Sequence, residues 1–213
     1  MDHLLDRLAD TIAVRLQYTE DQRAVVRYGL VALSQTVIIF LLLTVLGLCF
    51  GFFPQALAVF FSVVLLRRQE GGAHASSLTG CLILTSFVLT ALSVLSRFVF
   101  SRIDSAAALI LIAVLGAACV LASWKLVPVE SPNKPLRDPK KIARLRKNTF
   151  LLLGGYLVLA AVLALPKGTL PVSSPSIAAA ILSGTVWQTF TLTRPGRWLV
   201  EKMDRPFRRL SGS

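Results

Sequence analysis

Cys81 and His74 are the residues of this chain whose types and spacing suit covalent chemistry. A thiol is a weak nucleophile until it loses its proton. An imidazole within hydrogen-bond reach can take that proton and later return it to a leaving amine. Seven residues separate the two side chains. In an unbroken helix they would share a face yet stand about 10.5 Å apart along the axis, too far for direct transfer. The chain before Cys81 therefore has to depart from a straight helix. Gly71-Gly72 supplies the break, because glycine reaches backbone angles closed to other residues. With Ser76 or Ser77 as the cap of a following helix, Cys81 falls about one turn inside it and His74 leans over it from the turn. Backbone N–H groups freed between Gly71 and Ser77 are then available to an oxyanion. Spacing alone leaves a plainer reading open, that of a packed cysteine near a histidine capping a polar edge.

The elements that must position this pair are membrane helices. The chain has 213 residues, a mean hydropathy of +0.68 and only 16% charged residues. Soluble domains carry roughly 25%. The apolar residues lie in continuous runs near the length of about 20 residues that crosses a bilayer as helix. An outer-membrane barrel would alternate apolar and polar residues instead. The expected fold is all-α: a polytopic membrane protein of about six transmembrane helices in a single unit over 1–213. The spans are read at 29–50, 54–66, 78–100, 105–127, 149–165 and 171–193. The span at 54–66 is short for a crossing and ends at Arg67-Arg68. An amphipathic helix is expected within 1–22, with Leu4, Leu5, Leu8, Ile12 and Leu16 on one face. It either lies in the membrane interface or packs on the cytoplasmic loops. Met1-Asp2-His3 does not open a signal peptide, so the first span is expected to direct insertion.

Orientation follows from charge. With both termini in the cytoplasm, Lys and Arg number 4 in the N-terminal tail, 2 in the 67–77 loop, 8 in 125–148 and 6 in the basic tail 194–213. Only Arg97, Arg102 and Lys167 fall outside. The positive-inside rule expects that asymmetry. The same rule, together with lipid headgroup contact, accounts for the formal charge of +12 without nucleic acid as a partner. The pair His74–Cys81 then sits at the cytoplasmic face. In 128–148, Pro128, Pro132, Pro135 and Pro139 favour an extended first half, and Lys140 to Lys147 a basic helical lead-in. Cys49 and Cys119 fall inside apolar runs and read as small packing residues.

Two patches resemble the accessory gene regulator B family, membrane peptidases that process autoinducer peptide precursors in Gram-positive bacteria. The first is Arg67, Gly71-Gly72-Ala73-His74-Ala75 and Cys81. The second is Pro128-Val129-Glu130-Ser131-Pro132-Asn133-Lys134-Pro135. The resemblance implies a cysteine endopeptidase of the cell membrane, with Cys81 as nucleophile and His74 as general base and acid. It implies that Arg67 and Gly72, with neighbouring Gly71 and Lys134, shape the site or contact substrate. Arg67 would pair with a peptide carboxylate, and Arg68 is read as a topology residue only. Glu70, Ser131 and Asn133 are polar candidates for a third catalytic group. The implied partner is an AgrD-like precursor peptide, cleaved before its C-terminal tail and cyclised through a thioester as a quorum-sensing signal. No cofactor or metal is expected, since His3 and His74 are the only histidines and neither lies in an H-E-x-x-H motif. Small residues at Ala106-Ala107-Ala108 and Gly116-Ala117-Ala118 suit a homodimer or packing within one chain equally. A non-catalytic scaffold or a small peptide transporter is the alternative. A transporter would place ionisable groups in mid-membrane, whereas these spans hold almost none.

Overall fold

A computed structural model describes residues 2–72, 78–129, 138–166 and 174–210. These form eight helices: α1 (Asp2–Leu16), α2 (Glu20–Phe50), α3 (Phe53–Glu70), α4 (Leu78–Phe98), α5 (Ser105–Leu126), α6 (Pro139–Ala164), α7 (Pro175–Leu192) and α8 (Arg194–Leu210). A single 3-10 turn, Phe100–Arg102, follows α4. The described residues contain no strand.

Local sequence explains most boundaries. Thr19 and Gln22 form a reciprocal capping box at the start of α2. Gly51 ends that helix in the left-handed region, and Pro54 opens α3. Asp104 accepts from Ala107 N–H and caps α5. Asp138 accepts from Lys140 N–H, and Pro139 starts α6.

Four helical stretches are long and apolar enough to cross a membrane: α2, Gly80–Phe98 of α4, α5 and α6. They expose large apolar side chains, among them Leu41, Leu48, Phe87, Ile110, Val114, Leu151 and Val158. In water such a belt would be an aggregation liability, whereas in lipid it is the expected surface. The second and sixth expected spans become α3 and α7, and neither is among those four stretches. They form the centre of the bundle and pack on each other along their length. Gln55 Nε2 donates to Ser176 Oγ near the starts of both helices. Glu70 meets Gln188 near their ends. The two helices therefore run parallel. Val59, Val63 and Leu66 of α3 and Ala178, Ile181 and Thr185 of α7 are buried between and around them. Small side chains let the pair close up: a Cβ on Gly184 would sit 3.0 Å from Ser62 Cβ and 3.1 Å from Val59 O.

Several expectations are corrected. The second run does not stop at Arg67-Arg68 but stays helical to Glu70. The expected basic helical lead-in, Lys140 to Lys147, is present and runs on into the fifth span within one helix from Pro139. The basic tail is helical through Leu210. Helix α1 packs along the start of α2. It buries Leu5, Ala9 and Ala13 and leaves Leu8 and Leu16 exposed. Ion pairs from Arg23 to Asp10 and from Arg27 to Asp6 turn that side of α1 toward α2. Cys119 is buried, but Cys49 is exposed on the outer face of α2. Within α5, Gly116 is buried against Leu157 of α6, so at that position the small side chain serves packing inside one chain.

Gly184→Leu is expected to lower stability by about 1–3 kcal/mol, because the added side chain meets backbone and Ser62 with no room to move. Gly154→Leu, at a position with open space, is expected to change little. Thermal unfolding of the two variants in one detergent checks the contrast.

Candidate functional site

The last turn of α3 delivers Arg67 and Glu70 to one end of the bundle. Arg67 is partly buried, Arg68 exposed and Glu70 wholly inaccessible. The helix closes with Gly71 N–H donating to Arg67 O at 3.0 Å. Gly71 and Gly72 then take φ values of 81° and 134°, a region that other residues enter only under strain. Space demands glycine as well. A Cβ on Gly71 would lie 2.8 Å from Val129 O, and one on Gly72 would lie 3.0 Å from Thr191 Oγ1.

This turn is held from three sides. Val129 N–H, just after α5, donates to Glu70 O at 2.8 Å. Ser123 Oγ of α5 donates to Glu70 Oε1 at 3.2 Å. Gln188 Nε2 of α7 donates to Glu70 Oε2 at 3.3 Å and to Gly71 O at 2.9 Å. A carboxylate with no access to water needs such donors.

Helix α4 starts at Leu78, which puts Cys81 in its first turn. Cys81 is partly buried, and its Sγ lies 4.0 Å from Thr85 Oγ1. It lines a cavity of about 20 Å³ together with Arg67, Leu84, Thr85, Trp187, Thr191 and Val200. That volume suits roughly one water molecule. The thiol and the guanidinium thus share one small chamber, and a positive charge there can stabilise an oxyanion. Glu70 is not among the residues that line it. His74, Ser131, Asn133 and Lys134 lie outside the described residues, as do Ser76 and Ser77.

Sequence reasoning missed the far wall of the chamber. Trp187 and Thr191 come from α7, and Val200 from α8. Helix α8 folds back closely on α7, where a Cβ on Gly196 would lie 1.9 Å from Phe190 O. Its inner side buries Val200 and Asp204, and Arg194, Arg197, Trp198, Lys202 and Arg205 are exposed. Lys202 Nζ stands 4.9 Å from the Trp198 ring centroid. The alternation of basic and apolar residues in 194–206 carried a signal for that helix. Nothing local marked Val200 as a wall residue. A second cavity of about 290 Å³, lined by Leu46, Phe50, Phe52, Thr90, Val94 and Phe98, contains no titratable or nucleophilic group except a threonine hydroxyl.

The chain matches the family model described as Accessory gene regulator B over residues 5–192. It is 28% identical over 209 residues to a protein of Clostridium perfringens (strain 13 / Type A), provisionally named AgrB-like protein 2, with 96% of each chain covered. The same identity and coverage hold for an AgrB-like protein, also provisionally named, of Clostridium perfringens strain SM101. A similarly named Listeria welshimeri protein is 28% identical over 160 residues, 73% of each chain. No solved structure matches. The family match and the four apolar helices describe a multi-pass membrane protein with a role in the accessory gene regulator system. The chain belongs to the accessory gene regulator B family.

Proposed function

We propose that this protein is a membrane cysteine endopeptidase that removes the C-terminal tail of an AgrD-like precursor peptide and passes the remaining acyl group to a nucleophile within the peptide. One observation carries the reading: Cys81 opens into a small chamber beside Arg67, in the first turn of the helix that follows a rigidly held glycine turn. A cysteine serving only as packing needs neither the guanidinium nor the turn.

The chemistry has two acyl transfers. His74 takes the proton from Cys81 Sγ, and the thiolate attacks the carbonyl carbon before the tail. Arg67 and backbone N–H groups stabilise the resulting oxyanion. The C–N bond breaks, and the imidazolium gives its proton to the leaving amine. This leaves a thioester on Cys81 and a free tail. A cysteine thiol or serine hydroxyl of the peptide then attacks the thioester carbonyl, losing its proton to His74. Cys81 departs as thiolate and recovers that proton, and a thiolactone or lactone ring remains. A chamber with room for about one water favours the internal nucleophile over hydrolysis. Both termini and the site are read at the cytoplasmic face, with six spans crossing the bilayer. The basic start of α6, Lys140, Lys141, Arg144, Arg146 and Lys147, is complementary in charge to an acidic tail.

Co-expression with a candidate AgrD-like precursor peptide, followed by mass spectrometry of the peptide, tests the reading. Wild type is expected to release the tail and leave a ring-closed product. Cys81→Ala and His74→Ala are expected to abolish both while inserting normally. Cys49→Ala and Cys119→Ala should retain activity within about twofold, since those thiols lie outside the chamber. Activity lost in either of these two and kept in Cys81→Ala would refute the site. Neutralising Lys140, Lys141 and Arg144 together is expected to raise KM and flatten its salt dependence, with kcat little changed.

A further inference from the structure

We infer that Gln188 is a positioning residue of the active site: with Glu70, it fixes the glycine turn that closes α3 and so the last helical turn, which carries Arg67 to the Cys81 chamber. The inference rests on the peptidase reading above and adds a residue to it. Gln188 is wholly buried in the central helix α7, where a leucine or methionine would pack as well and shed no hydration. Its polarity is used instead. A primary amide carries two N–H donors. One reaches Glu70 Oε2 at 3.3 Å and the other Gly71 O at 2.9 Å.

Both acceptors matter for direction. The last carbonyls of a helix lack partners within it. At the end of α3 the Glu70 carbonyl is taken by Val129 N–H and the Gly71 carbonyl by Gln188. A fixed Gly71 carbonyl fixes the plane of the Gly71–Gly72 peptide. That plane sets the direction in which the chain leaves α3 through Gly72. The Glu70 carboxylate, held also by Ser123 Oγ, stops the amide from turning over. An inverted amide would put its oxygen against a carboxylate and a carbonyl. Arg67, on the same final turn, faces the Cys81 chamber, so one rigid segment carries both the cation and the turn. Oxyanion stabilisation demands this control, because a misplacement of about 1 Å costs roughly a hundredfold in rate.

The test uses the full chain in native membranes. Gln188→Glu keeps the shape of the side chain but replaces the donor by an acceptor. Two quantities are read. One is the rate at which iodoacetamide alkylates Cys81 at neutral pH, followed by the mass of the Cys81 peptide and needing no substrate. The other is kcat and KM for the precursor. Gln188→Glu is expected to slow alkylation about tenfold and to lower kcat about a hundredfold, with KM within about twofold. Adding Glu70→Gln relieves the clash of two carboxylates but still leaves Gly71 O without its donor, so both rates should stay low. A residue that only stabilises the bundle would lose yield and activity together and leave the alkylation rate of Cys81 in the folded fraction unchanged. Unchanged alkylation and kcat in Gln188→Glu, with Cys81→Ala inactive, overturn the inference and leave the peptidase reading standing. So does full recovery on adding Glu70→Gln, since Gly71 O would still lack a donor. Cleavage that persists in Cys81→Ala overturns the peptidase reading itself. Should Gln188→Glu fail to accumulate, Gln188→Asn, which keeps the amide but shortens its reach, is judged by the same readouts.

Discussion

The carboxylate of Glu70 sits where water does not reach, and its need for donors organises this end of the molecule. Ser123 brings the end of α5 to it, Gln188 brings α7, and Val129 crosses behind its own carbonyl. Two segments far from it in sequence, 123–129 and α7, are thereby tied to the last turn of α3. Removing one donor from such a group costs more than the hydrogen bond itself, because a buried oxygen is left without a partner. The glycine turn inherits that rigidity. It leaves α3 through backbone angles that only glycine takes readily, with no room for a Cβ at Gly71.

The membrane explains why buried polar groups gather here. Helices that face lipid cannot carry polar groups outward, and α2, α4, α5 and α6 expose apolar side chains instead. The polar work falls to the central parallel pair, α3 and α7, which the other helices surround. Their contacts are polar near both ends, Gln55 with Ser176 and Glu70 with Gln188. In the second case the link lies beside a thiol and a guanidinium that share a chamber. Helix α8 closes that chamber with Val200 and turns a cationic face away from it.

Much of this is legible in the sequence, for reasons that differ by element. Long apolar runs mark the end of α2, the start of α3 and both ends of α4 and α5 closely, because lipid imposes one continuous composition on a span, whereas α2 begins well before its apolar run, at Glu20, and α3 continues past its own to Glu70. The glycine break and the place of Cys81 in a first helical turn are also readable, since both follow from local backbone preference. The face of α1 is not, because it is set by Arg23 and Arg27 of the next helix rather than by its own leucines. Cys49 reads as a packed residue and is exposed. In a bilayer an outward cysteine meets an environment as apolar as a core, so composition does not separate the two. Gln188 is the costliest omission. Its partner Glu70 is 118 residues away, and nothing within α7 announces the pairing. A lone glutamine in an apolar span is the one signal present, and taken by itself it says only that some partner must exist.

The central claim is that Cys81 carries the peptide as a thioester between two acyl transfers. Its most direct test is to stop the reaction halfway. A precursor peptide whose internal nucleophile is replaced by alanine should still lose its tail but have no group with which to close a ring. Intact-mass analysis of the purified protein after exposure to that peptide, with digestion to locate the adduct, should then find the truncated peptide on Cys81, released by neutral hydroxylamine. A tail cleaved with no adduct on Cys81 at any time, or an adduct on Cys49 or Cys119, would contradict the account.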